Sequence, residues 1–114
     1  MQSMSETPYL GELEQLLLLA ILQCGDEAYT VPIREVLAER SRRRIARGAL
    51  YTSLDRLEAK GLVSSRLGEP LAVRGGRSRR YFTVTPTGVE ALRAARLAVA
   101  NLSHGLDAVL GGPR

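Results

Sequence analysis

A chain of 114 residues accommodates one domain built around a single core, and leaves no room for a second. Apolar residues make up 45% of it, with no tryptophan and one phenylalanine, so the core must be aliphatic, which suits packed helices better than a β-sandwich and excludes wholesale disorder. The net charge of +4 is unevenly spread, with −5 over residues 1–33, +8 over 34–80 and +1 over 81–114, which fits one surface built for a polyanion and equally an ordinary solvated surface rich in arginine.

Met1–Pro8 has no basic segment leading into an apolar stretch, so no signal peptide is expected, and residues 1–9 read as a flexible tail. Leu10–Leu22 is the first predicted helix. Leu13, Leu16, Leu17, Ala20 and Ile21 share a face at helical spacing, while Leu18, Leu19 and Leu22 lie on others. A helix apolar nearly all round needs cover on two sides, one from its own domain and one from elsewhere. Its longest apolar run, Leu16–Leu22, is far short of the ~20 residues of a membrane span, so no membrane partner is expected. Cys24, the one cysteine, excludes an internal disulfide and a thiolate zinc cluster. It reads as a small buried residue near the helix end, with no cation nearby in sequence to lower its pKa. A reducing cytoplasm is the expected location. Gly25-Asp26 carries turn chemistry.

The second helix is expected to start with Thr30 as N-cap, with Pro32 in its first turn and Ile33, Val36 and Leu37 facing inward, and to fade near Ser41. Arg42, Arg43 and Arg44 follow in the connection. The third helix is expected from Ala46 to Lys60, with Leu50, Leu54 and Leu57 as its inward stripe and Gly61 ending it. Two extended runs, Leu62–Leu67 and Arg79–Thr85, flank a Gly- and Arg-rich segment and predict a hairpin that must lean on helices to persist. Thr85-Pro86 signals the last helix, with Thr87 and Glu90 offering an alternative capping box. In that helix Leu92, Ala95, Val99, Leu102, Leu106 and Val109 repeat at alternating spacings of three and four, an a/d seam interrupted by Gly105. So small a monomer has little core left to cover this seam, which predicts a dimer interface, joined by Leu18 and Leu22 of the first helix.

Three helices and a basic-tipped hairpin are the element order of a winged helix-turn-helix. The fold class expected is therefore mainly α with a small β-hairpin: a winged helix-turn-helix over 10–86 and a C-terminal dimerisation helix over 87–111. The third helix has leucines to dock it and a polar, cationic outer face of the size a major groove accepts. The candidate DNA contacts are Arg43, Arg44 and Arg47 around its N-terminus, Tyr51, Thr52 and Arg56 along it, and Arg77, Arg79 and Arg80 in the hairpin. The bland alternatives are a supporting aromatic for Tyr51, a surface ion pair with Glu39 or Glu58 for Arg56, and solvated charge for the rest. Lys60 reads as a favourable charge at a helix C-terminus.

These residues also carry a resemblance. Leu10-Gly11-Glu12-Leu13-Glu14-Gln15-Leu16, the run from Gly48-Ala49-Leu50-Tyr51 through Asp55-Arg56-Leu57-Glu58 to Gly61-Leu62-Val63, and Arg79-Arg80-Tyr81-Phe82-Thr83-Val84-Thr85-Pro86 resemble the opening, recognition helix and wing of PadR-family regulators. The resemblance runs from about Leu10 to Leu92. It implies a homodimeric repressor, in some members released by a small apolar or phenolic ligand, with the first and last helices forming the dimer. The partners implied are double-stranded DNA, a second copy of the chain and a small-molecule effector. Thr30 and Pro32 stand where the family tends to have glycine, which puts the start of the second helix in question. Members that hold flat drugs between subunits use tryptophan, which this chain lacks, so aromatic sandwiching is not expected.

No Ser/His/acid arrangement, phosphate-cradling glycine loop or metal-ligand set appears, so neither catalysis, a cofactor nor a metal is expected. His104 reads as an interface or surface residue. Two other readings remain: a winged-helix module that binds an acidic protein, and a ligand-binding dimer without DNA binding. The DNA reading predicts the arginines on one face of the dimer, in two copies about one duplex turn (~34 Å) apart.

Overall fold

A computed structural model describes residues 9–70 and 78–111. The elements run α1 (Glu12–Cys24), α2 (Thr30–Val36), α3 (Arg47–Ala59), β1 (Val63–Pro70), β2 (Ser78–Val84), α4 (Pro86–Ser103) and a short α5 (Asp107–Leu110). Helix α1 starts two residues later than its apolar pattern suggests. Gly11 caps it, and the Glu14 carboxylate turns back to accept the Gly11 N–H at 2.9 Å. Gly25, at φ 59°, ends it in the left-handed region that favours glycine. Tyr29 rather than Thr30 stands at the N-cap of α2, so the helix begins at Thr30, one residue earlier than Thr30 as cap implies. The chain then widens into a π-helical stretch, Leu37–Ser41, where Ser41 Oγ donates to the Leu37 carbonyl at 2.7 Å. Arg42 follows at φ 59°, a strained position for a residue with a side chain.

Helix α1 lies at the centre. It is in contact with α2, α3, α4 and β2, and Leu17, Leu18, Ala20 and Ile21 are buried. Leu50, Leu54 and Leu57 of α3 meet them together with Ile33, Leu37, Leu62 and Phe82. The hairpin is antiparallel, pairing Val63 with Val84, Ser65 with Phe82 and Arg66 with Tyr81, and its register slips between Leu67 and Pro70. The other edge of β2 is tied to the segment before α2, where the Phe82 N–H donates to the Ala28 carbonyl at 2.8 Å. Thr85 caps α4 by accepting the Gly88 N–H at 3.0 Å, with Pro86 in the first turn, so the Thr87–Glu90 box is not the one used.

Two expectations about the dimer seam are corrected. Leu18 and Leu92 are only 0% and 5% exposed, because both are packed into the core of their own chain, and neither side chain is left to offer a partner. The last helix is also not continuous over 87–111. It ends at Ser103, whose hydroxyl bonds back to the Val99 carbonyl at 2.8 Å, and Gly105 turns the chain at φ 83°. Leu106 and Val109 therefore do not extend the stripe of Ala95, Val99 and Leu102. Ala95 is half-buried against the core, while Leu22, Val99, Leu102, Leu106 and Val109 are exposed.

Candidate nucleic-acid interface

The leucine stripe of α3 decides what the helix shows outward. With Leu50, Leu54 and Leu57 fully buried, helical geometry turns Arg47, Tyr51, Thr52, Asp55 and Arg56 to solvent, and all five are exposed. The Thr52 hydroxyl donates to the Gly48 carbonyl at 3.0 Å and keeps its lone pairs for another donor. Arg44 is exposed beside the start of α3 and shares a shallow open cleft with Arg34, Glu35 and Ile45. Arg34 donates from Nε to the Ile45 carbonyl at 3.2 Å, which ties α2 to the connection entering α3. Sequence reading missed Arg34, because that connection folds back on α2 through the π-helical stretch.

The arginines differ in what already holds them. Arg43 forms a 2.9 Å ion pair with Glu12 at the start of α1. At the other end of α3, Lys60 bonds Glu14 at 2.7 Å and the Tyr9 carbonyl at 3.3 Å. Lys60 is thus more than a favourable charge at a helix end: it ties α1 to α3. Burial pushes the Glu14 carboxyl up, but the Lys60 and Gly11 hydrogen bonds and the charges of Lys60 and Arg56 outweigh it and hold it below the usual carboxylate range.

Arg80, a candidate DNA contact in the sequence, forms a strut between the hairpin and α3. Its Nη1 bonds Asp55 at 2.9 Å, its Nη2 bonds Glu58 at 2.6 Å and its Nε donates to Ser65 Oγ at 3.1 Å, while the guanidinium lies 4.9 Å from the Phe82 ring centroid. With a donor on each of its three nitrogens engaged inside the chain, it holds the hairpin against α3. Arg79, one residue before it on the opposite face of β2, is exposed and lies 4.2 Å over the Tyr29 ring. Arg77 lies outside the described residues.

Helix α3 with its cationic outer face, docked on α1 and α2 and braced by a hairpin, is the arrangement of a winged helix. The family model described as transcriptional regulator PadR-like matches residues 18–94. The chain belongs to the PadR-like family of transcriptional regulators. Among curated proteins it is similar to a transcriptional regulator of Mycobacterium tuberculosis, 42% identical over 69 residues, which are 60% of this chain and 58% of that protein. The match therefore spans less than two thirds of that relative. Among solved structures it is similar to a PadR family transcription regulator of Clostridium difficile at 27% identity and a TM-score of 0.67, covering 85% of this chain and 97% of that one. A PadR-like regulator of Bacillus cereus, at 24% identity and a TM-score of 0.67 over 89% and 93% of the two chains, shares the fold. Among the described residues, no group of three or more His, Cys, Asp or Glu is placed to hold a metal, and no helix is long and apolar enough to cross a membrane.

Proposed function

We propose that this PadR-family chain is a sequence-specific DNA-binding repressor that works in the cytoplasm as a homodimer on a palindromic operator. The observation that carries the reading is the outward face of α3, where Arg47, Tyr51, Thr52 and Arg56 are exposed together above a buried leucine stripe. Such a face enters a major groove, with arginines at its N-terminal end on phosphates and mid-helix side chains on base edges.

A dimer is supported by the apolar surface left uncovered. Leu97, Val99 and Leu102 of α4, Leu106, Val109 and Leu110 around α5, and Leu19 and Leu22 of α1 are all exposed. Exposed apolar side chains in this number mark an interaction surface, and a second copy is the partner the family suggests. A mostly apolar cleft of about 220 Å³ at Leu19, lined by Leu16, Val36 and Leu37 together with Gln23, Arg40 and Ser41, is where a small apolar effector would enter to release the DNA.

The test is binding to the DNA upstream of the chain's own gene and to a scrambled duplex, at about 50 and 200 mM salt. The reading expects a tight, sequence-dependent complex that weakens steeply with salt, and further weakening by Arg47→Glu. Absence of binding at the lower salt would overturn it. Sedimentation at micromolar concentration tests the dimer: the expected species is a dimer that Leu102→Glu converts to monomer.

A further inference from the structure

The wing carries a stacked row of side chains on its outer face. Arg66 and Tyr81 stand opposite each other in the β1–β2 register, and the Arg66 guanidinium lies 4.6 Å from the Tyr81 ring centroid. Tyr81 meets Tyr29 edge-to-face, with centroids 5.5 Å apart and ring planes at 66°. Arg79 lies 4.2 Å over the other ring, so the order is Arg66, Tyr81, Tyr29, Arg79. Strand alternation puts this row on the face of β2 opposite Phe82 and Arg80. The two rings are half-buried and the two arginines are exposed. Among the described residues neither arginine forms a salt bridge, in contrast to Arg80 on the other face.

The backbone is shaped to seat this row. A Cβ on Gly68 would stand 2.7 Å from Tyr81 Cε1 and 3.3 Å from Cδ1, so the Tyr81 ring rests against the glycine. Gly68 lies where the ladder slips register between Leu67 and Pro70. Tyr29 is fixed from the other side, because its neighbour Ala28 is hydrogen-bonded to Phe82.

A free arginine carries about 2 kcal/mol of rotamer entropy, which it loses when it is fixed on a phosphate. Stacking a guanidinium on an aromatic face removes part of that freedom beforehand and leaves the N–H edge free to donate. We infer that Arg66 and Arg79 are a pre-ordered pair of contacts to the phosphate backbone of the bound duplex, and that Tyr81 and Tyr29 are the residues that position them. The inference rests on the DNA-binding reading and assigns Arg66, Tyr29 and Tyr81 parts in that site.

The experiment measures affinity and its salt dependence on the upstream duplex and on the scrambled duplex. Arg66→Ala, at an exposed side chain, is expected to weaken binding to both duplexes alike and to lower the salt slope by about one. Tyr81→Leu, Tyr29→Leu and Gly68→Ala keep every charge. Each is expected to weaken binding about 2- to 5-fold, the equivalent of one exposed cation–π contact, with the slope retained. Tyr81→Phe and Tyr29→Phe, which keep the rings, are expected to bind as the unaltered protein does. If Arg66→Ala changes neither affinity nor slope while Arg47→Ala lowers both, the inference is overturned and the DNA reading stands. If the leucine and phenylalanine variants behave alike, the positioning role is overturned. If the unaltered protein binds neither duplex at the lower salt, both fall together.

Discussion

Gly88→Ala should destabilise this protein, although the same change in an open helical position would stabilise it. Gly88 lies in the first turn of α4, and alanine there would ordinarily gain up to about 1 kcal/mol through backbone entropy. Here, however, the new Cβ would overlap the Leu62 carbonyl oxygen outright and stand 2.8 Å from Val84 Cγ1. Neither neighbour can give way easily, since Leu62 is backbone and Val84 is buried. The first turn must therefore move. That turn is anchored by Thr85 N–H to the Leu62 carbonyl at 3.0 Å and by the Thr85 hydroxyl to the Gly61 carbonyl at 2.7 Å. Overpacking costs about 1–3 kcal/mol and each strained hydrogen bond about 1 kcal/mol, so the net loss is about 2–4 kcal/mol after the helical gain is subtracted. Out of a total of about 5–15 kcal/mol, that is a large fraction. Urea denaturation at fixed protein concentration should show a lower midpoint with an unchanged slope. Gly48→Ala is the matched control: its Cβ meets nothing within 4 Å, so it should raise stability by about 0.5–1 kcal/mol. If Gly88→Ala proves as stable as the unaltered protein, the close approach of α4 to Leu62 is not as described and the reasoning fails.

Arg80→Ala removes two ion pairs and the stack on Phe82. Because the side chain is partly exposed, the loss should be modest, about 1–2 kcal/mol in thermal or urea unfolding. It should leave the salt slope of DNA binding unchanged, whereas a slope lowered by about one would return Arg80 to the set of phosphate contacts. The Glu14 carboxyl, held below its ordinary range, contributes stability that is present above the unfolded carboxylate pKa and disappears as pH falls through the depressed folded one. Stability curves from pH 6 down to pH 3 should thus be flatter for Glu14→Gln than for the unaltered chain, and parallel curves would contradict the ion pair with Lys60. Burial and the charge of Glu35 push the Cys24 thiol up, so at neutral pH its alkylation should be slower than that of a free cysteine. Faster alkylation would reopen a redox role for it.

The features that sequence made legible are those fixed by local spacing. Leu50, Leu54 and Leu57 define one face of α3 whatever surrounds it, and Gly61 and Thr85-Pro86 mark helix ends by chemistry confined to a few residues. Spacing does not say which chain covers an apolar face. Leu18 reads as a residue for a partner because α1 is apolar on several sides, yet α2, α3, α4 and β2 of the same chain pack around that helix. The seam in the last helix failed for a different reason. Its repeat continues through Leu106 and Val109, but a heptad is only a face while the helix lasts, and Gly105 turns the chain.

The arginines show most clearly where sequence stops. Arg79 and Arg80 are adjacent and chemically identical, but the pleat sends them to opposite faces of β2. On the inner face, Asp55 and Glu58 are one turn apart on α3, close enough to meet a single guanidinium, and they make Arg80 structural. On the outer face Arg79 finds the Tyr29 ring and forms no salt bridge among the described residues. Which arginine joins which group depends on the hairpin register and on where Ala28 pairs with β2, both of which are long-range facts. A basic segment in a winged helix is therefore not one electrostatic surface. Its inner charges hold the hairpin to α3, and the outer ones are left facing solvent.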